Sequence, residues 1–254
     1  MSFGRIHISF CLIFSFAIPL VGLTACQTDP QIRGNKPAFL LRQANRLSRN
    51  KDYFRAAELY KQILEDYPDS PERVEAQLFL ADTLMKKKEY GDAKLNYESF
   101  IELYPAWSNV DHAYFYLAMA DYMMIDIALR DQTFTRSALA QFEQLIRNFP
   151  KSSYLKRAEK KIRECRKKLA ENILEISRFY FRTHSYQSAI NRLKSLLATY
   201  PKQKFNDEVM FLLAESYYNE QNYREAQLLY NQLLDQYPNS SFIREALLRL
   251  KVLR

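Results

Sequence analysis

The sequence predicts an all-α chain built as a stack of helical hairpins, and three observations predict it. A pattern first seen from Tyr53 to Pro68 returns four more times, ending at Pro68, Pro105, Pro150, Pro201 and Pro238. Alanine stands twelve residues before each of these prolines, as Ala56, Ala93, Ala138, Ala189 and Ala226. Glycine is almost absent: after residue 25 only Gly34 and Gly91 occur, whereas strand-and-turn folds and phosphate-cradling loops need more.

Each copy reads as the second helix of a hairpin. Eight residues before the proline come Tyr60, Tyr97, Phe142, Leu193 and Tyr230, and immediately before it Tyr67, Tyr104, Phe149, Tyr200 and Tyr237. Apolar residues at steps of three, four and seven fall on one stripe of a helix. The alanine lets a second helix cross closely while the flanking rings fill the volume beside it. Proline then stops the helix, since it lacks the next donor and pushes its predecessor out of the α region.

The first helix of each hairpin is marked by another small residue, twelve positions before the alanine: Ala44, Ala81, Ser177 and Ala214. Small residue, small residue and terminal proline at these offsets resemble the tetratricopeptide repeat. That resemblance implies a right-handed superhelical solenoid of five hairpins. The chain departs from the family five residues before the proline, where Ile63, Phe100, Leu145, Leu196 and Leu233 replace a further alanine and predict slightly wider helix spacing.

Two repeats carry insertions, because the intervals between prolines are 37, 45, 51 and 37 residues. In the third repeat Ala118 lies 20 residues before Ala138, so residues around Asp126 to Thr133 extend the hairpin turn, as a longer loop or as a contact loop. In the fourth, Ser177 lies 14 residues later than the pattern requires. Fourteen residues are close to four helical turns and keep the packed face in register. One helix from about Ser153 to Thr183, protruding beyond the stack, is expected.

The chain opens with Arg5 and an apolar run from Ile8 to Val21, placed as a secretory signal and short for a bilayer span. Leu23-Thr24-Ala25-Cys26 follows and resembles the bacterial lipobox, against the plainer reading of an ordinary signal with a chance cysteine. The resemblance implies cleavage after residue 25, acylation of Cys26 and membrane attachment through its acyl chains. Gln27 follows in place of the aspartate of the inner-membrane retention signal, so outer-membrane sorting is expected. The expected organisation is a signal peptide at 1–25, a lipidated tether at 26–36, amino-terminal repeats one to three at 37–150, and carboxy-terminal repeats four and five with a long first helix at 151–254. Of the three cysteines, only Cys165 then remains as a thiol, so no internal disulfide can form.

The net charge of +8 concentrates between Lys156 and Lys168, where eight cations face Glu159 and Glu164. This run reads either as a solvated helix face or as a docking surface for an acidic partner or anionic head groups. Nucleic acid is excluded as a partner for an exported, lipidated chain. His112 and His184 stand apart and read as surface or packing residues, and the motifs of metalloproteases, thiol redox centres, serine hydrolases and nucleotide-binding loops are missing. Carboxylates look scattered over helix surfaces. No enzyme activity, cofactor or metal is expected, and the chain reads as a binding scaffold.

First helices of such a stack line its inner side. Steps of three and four from the small residues select Leu41, Asn45 and Arg49, then Leu78, Asp82 and Lys86, then Phe115, Met119 and Tyr122 as a candidate peptide groove, whose cations suit a terminal carboxylate. The alternative is that some of these residues pack between repeats.

Lipobox, tether, five repeats, third-repeat loop and long fourth-repeat helix together resemble the family of lipoprotein D subunits of the bacterial outer-membrane β-barrel assembly machine. The likeness is most specific at D-H-A-Y-F-Y-L-A from Asp111, R-D-Q-T-F-T-R from Arg130 to Arg136, and I-N-R from Ile190 to Arg192. It implies a periplasmic adaptor on the outer membrane, with unfolded outer-membrane proteins, companion lipoproteins and the barrel-forming subunit as partners. Its amino-terminal repeats would receive the carboxy-terminal signal of unfolded barrels. Its carboxy-terminal repeats would hold the periplasmic domains of the barrel-forming subunit, with Arg192 and Asn191 at the contact. A cell-envelope organiser resembling the Tol-Pal-associated repeat protein is the alternative, although that family usually begins with a coiled coil and lacks the lipobox.

Overall fold

The computed structural model describes residues 36–125, 131–201 and 203–253. The predicted signal peptide, Cys26 and all of the tether but Lys36 lie outside them, as does most of the third-repeat loop. The described residues hold eleven helices and no strand. They are α1 (Lys36–Arg49), α2 (Tyr53–Asp66), α3 (Glu72–Lys87), α4 (Tyr90–Leu103), α5 (Val110–Met123), α6 (Thr133–Asn148), α7 (Leu155–Arg182), α8 (Tyr186–Thr199), α9 (Asn206–Asn219), α10 (Tyr223–Gln236) and α11 (Ile243–Val252). None is long and apolar enough to cross a membrane.

Residues 37–254 form one compact unit. From α2 onward each helix packs chiefly on its neighbours in sequence, with next-nearest contacts between α3 and α5 and between α7 and α9. The core is therefore a series of clusters along the stack, as in a solenoid. The five alanines of the second helices, Ala56, Ala93, Ala138, Ala189 and Ala226, are fully buried. So are Ile63, Phe100, Leu145, Leu196 and Leu233, the larger residues that stand where a further alanine was expected.

The hairpin ends repeat as closely as the core does. Tyr67, Tyr104, Phe149, Tyr200 and Tyr237 end the second helices with φ between −129° and −132°. In each, the backbone N–H still bonds the carbonyl four residues back before proline forbids another turn. The four short turns inside hairpins use left-handed residues that are not glycine: Lys51, Lys88, His184 and Gln221, at φ 64°, 65°, 57° and 60°. All four lie seventeen residues before the proline. The next N–H closes each turn, for example Asp52 onto Leu47 and Asn222 onto Tyr217.

The long helix of the fourth repeat is present as α7, 28 residues, but it does not protrude. Ala158, Ile162 and Cys165 in its first half are buried against Phe115, Ala118, Ala138, Phe142 and Leu145. The reason is a second spacing. Eight and twelve residues after each proline stand Ala76 and Leu80, Ala113 and Leu117, Ala158 and Ile162, Val209 and Leu213, Ala246 and Leu250, all buried. These positions seat a first helix on the preceding hairpin. The first half of α7 thus closes repeat three, and its second half, with Leu174 and Ser177 buried, opens repeat four. Beyond Pro238, α11 covers the last hairpin through Ala246 and Leu250. A terminal element of this kind keeps the apolar end of a repeat stack from water.

Candidate binding surface

The buried tyrosines of the second helices organise the polar side of the first. Each hydroxyl bonds the residue that follows the small first-helix position: Tyr60 donates to Asn45 at 2.6 Å, Tyr97 to Asp82 at 2.5 Å and Tyr230 to Glu215 at 2.5 Å. Where the ring loses its hydroxyl, as Phe142, or becomes Leu193, the matching positions are Met119 and Arg178. Arg178 turns to Glu208 at 2.6 and 2.5 Å and also binds Glu175.

Of the candidate groove residues, Leu41, Leu78 and Phe115 are buried in the core. Phe115, at 1 % exposure, presents no surface to a peptide. Repeat three is closed by the first half of α7. Tyr154 stacks on Phe115 at 4.7 Å, and the Arg157 guanidinium lies 4.4 Å from the same ring. The Lys161 ammonium sits 3.9 Å over Tyr122, whose hydroxyl donates to Glu164 at 2.7 Å. Met119 packs half-buried against the same core. Phe115, Met119 and Tyr122 are therefore corrected from groove lining to packing between repeats.

Repeats one and two keep an open polar face. Asn45 and Asp82 are half-buried acceptors, while Arg49 and Lys86 are exposed, Lys86 lying 5.7 Å from the Tyr53 ring. Leu41 faces a separate cleft with Arg42, Pro71 and Glu75. Leu78 and Asp82 line another, of ≈ 360 Å³, with Asp111, His112 and Tyr154. There His112 Nε2 lies 2.8 Å from Asp82 and Nδ1 lies 2.8 Å from the Tyr154 hydroxyl. Because a carboxylate only accepts, Nε2 donates to Asp82. His112 is thus a packing residue that ties α3 to the start of α7.

Two carboxylates are not on helix surfaces, contrary to expectation. Asp121, with its side chain fully buried, binds Lys94 at 3.0 Å and accepts the Ser137 hydroxyl, joining α4, α5 and α6. Glu215, 6 % exposed, takes both Nε and Nη2 of Arg249 at 2.9 Å. Arg249 is held above its usual basicity first by these bonds. Glu215 had a signal in the sequence, since it follows the small Ala214 as Asp82 follows Ala81.

Asn191 and Arg192 are exposed on α8. Asn191 accepts from Gln187 at 3.4 Å, and no hydrogen bond or ion pair engages Arg192 among the described residues. No group of three or more His, Cys, Asp or Glu among the described residues is placed to hold a metal ion.

An array of aromatic-clamped helical hairpins with open clefts between them defines a tetratricopeptide-repeat protein. The YfiO family, described as "Outer membrane lipoprotein", matches residues 34–227. Among similar chains, the outer membrane protein assembly factor BamD of Rickettsia prowazekii is 30% identical over 192 residues, 76% of each chain. That of Pasteurella multocida is 24% identical over 215 residues, 80% of this chain and 83% of the relative. The chain belongs to this family, and with it to outer-membrane protein assembly. Solved structures that it resembles include the TPR2AB domain of yeast Sti1, at 14% identity, 87% of this chain, 83% of that chain and a TM-score of 0.46. The family points to an assembly factor of the outer membrane.

Proposed function

We propose that this chain is a periplasmic scaffold of the outer-membrane β-barrel assembly complex, held at the membrane by acyl chains on Cys26. Repeats one and two receive the carboxy-terminal segment of unfolded barrel proteins, with Arg49 and Lys86 as cations for its terminal carboxylate and Asn45 and Asp82 as polar contacts. Leu41 and Leu78 form the apolar floor behind them. Repeats four and five hold the periplasmic domains of the barrel-forming subunit through Arg192 and Asn191, and companion lipoproteins join the same assembly. The observation that carries this reading is the family match over residues 34–227, which encloses each of these positions except Cys26.

Gentle detergent extraction followed by co-purification tests it. A large integral barrel protein bound stoichiometrically is the expected result, and Tol-Pal components in its place overturn the reading. Arg192→Leu, at an exposed position, weakens that association without changing the helical circular dichroism; an unchanged complex removes the contact. For the groove, Arg49→Gln with Lys86→Gln lowers affinity for a barrel-derived peptide with a free carboxylate more than for its amide. Equal losses would discard the carboxylate role.

A further inference from the structure

Packing sorts seven of the eight cations between Lys156 and Lys168 into two groups, the eighth, Lys168, being half-buried. Arg157 covers Phe115, Lys161 pairs with Glu164 at 2.7 Å, Arg166 pairs with Glu143 at 2.8 Å and Lys167 with Glu171 at 3.4 Å. These four hold α7 to its surroundings or to itself. Lys156, Lys160 and Arg163 are exposed and enter no ion pair or hydrogen bond among the described residues. At positions i, i+4 and i+7 they form one stripe.

Arg163, at one end of the stripe, lines a cleft of ≈ 500 Å³ between α6 and α7. Ile146 and Ile162 line it apolarly, and Arg147 and Arg163 stand on its two sides. Arg147 is also exposed and unpaired, while Glu143 is already neutralised by Arg166, leaving Glu159 as the one carboxylate in the cleft without a partner. We propose that this cleft and its stripe dock an acidic, extended segment of a protein partner, its carboxylates against Lys156, Lys160, Arg163 and Arg147 and an apolar side chain against Ile146 and Ile162.

Geometry favours a protein segment over a lipid surface. The apolar part is recessed, with Ile162 only 7% exposed, and no exposed residue in the first half of α7 is apolar. A helix that inserts into a bilayer surface needs apolar side chains that reach out from between the cations. Along the helix, Lys156 and Lys160 are separated by a rise of about 6 Å. That matches alternate side chains of an extended peptide, about 6.6 Å apart. The inference is independent of the groove and of Arg192, which lie on α1, α3 and α8.

The test is a fluorescence-anisotropy titration of the full acylated chain, in nonionic detergent, with the labelled peptide Glu-Val-Glu-Ser-Glu-Val-Glu. Saturable, salt-sensitive binding is expected, weakened about tenfold in Lys156→Gln/Lys160→Gln/Arg163→Gln. It is retained in Arg224→Gln/Arg244→Gln/Lys251→Gln, which removes equal charge elsewhere. Equal weakening in both triple variants, or none in either, overturns the proposal. So does binding to equimolar phosphatidylcholine and phosphatidylglycerol vesicles that depends on the same three residues while the peptide fails to bind.

Discussion

Tyr230 donates its hydroxyl to Glu215 at 2.5 Å across the two helices of the last hairpin, with the ring wholly buried. The same fifteen-residue clamp joins Tyr97 to Asp82 and Tyr60 to Asn45. A hydrogen bond to a charged acceptor is worth more than one to a neutral amide. Tyr230→Phe is expected to cost about 2 kcal/mol and Tyr60→Phe about 1 kcal/mol, read from urea unfolding. Equal costs would show that acceptor charge does not set the strength of the clamp.

Burial, first of all, raises the pKa of Tyr60, Tyr97 and Tyr230; nearby Asp82 adds to it for Tyr60 and Tyr97, and the bond to Glu215 for Tyr230. The folded state keeps these protons while an unfolded chain releases them from about pH 10. Their stabilisation is therefore full below about pH 10 and falls as the pH rises beyond it. In an ultraviolet titration of the 18 tyrosines, these three are expected to ionise only with the loss of helical circular dichroism. Ionisation of all 18 before that loss would contradict the assignment.

Lys94 and Asp121 form a pair with one end buried, at 3.0 Å. Lys94→Met strands the Asp121 carboxylate in the core, with the Ser137 hydroxyl as its remaining side-chain partner, and is expected to cost about 3 kcal/mol. Adding Asp121→Leu recovers most of that loss, because an apolar pair needs no desolvated charge. A double variant no better than the single one would mean that packing, and not charge, carries the contact.

Cys165 is fully buried, and burial pushes its thiol up to about 11. Alkylation at neutral pH should leave it unmodified in the folded chain and modify it fully in denaturant, as read by peptide mass spectrometry. Rapid labelling of the native protein would place the first half of α7 away from α5 and α6.

Gln221 turns the chain at φ 60°. Gln221→Gly relieves about 1 kcal/mol of left-handed strain and gives back about half of it in chain entropy, for a net gain of about 0.5 kcal/mol. Gln221→Val is expected to lose more than 1 kcal/mol, roughly, because a branched side chain fits that conformation poorly. Thermal unfolding of the two variants should bracket the parent.

The repeat of small residues and prolines determined by itself that the chain is all helix, where the second helices end and how many hairpins there are. Local rules suffice for these: alanine permits close crossing and proline stops a helix. The length of α7 was legible too, because fourteen residues preserve helical phase. Whether its first half stands free or packs was decided only in the tertiary structure. There Ala158 and Ile162 meet repeat three and cover Phe115, Met119 and Tyr122, which sequence spacing alone had left available to a ligand. The buried carboxylates Asp121 and Glu215 find their cations Lys94 and Arg249 at 27 and 34 residues' distance in the chain. Nothing periodic marks such a pair, because a charge is allowed inside only by the particular neighbour that three-dimensional packing brings to it.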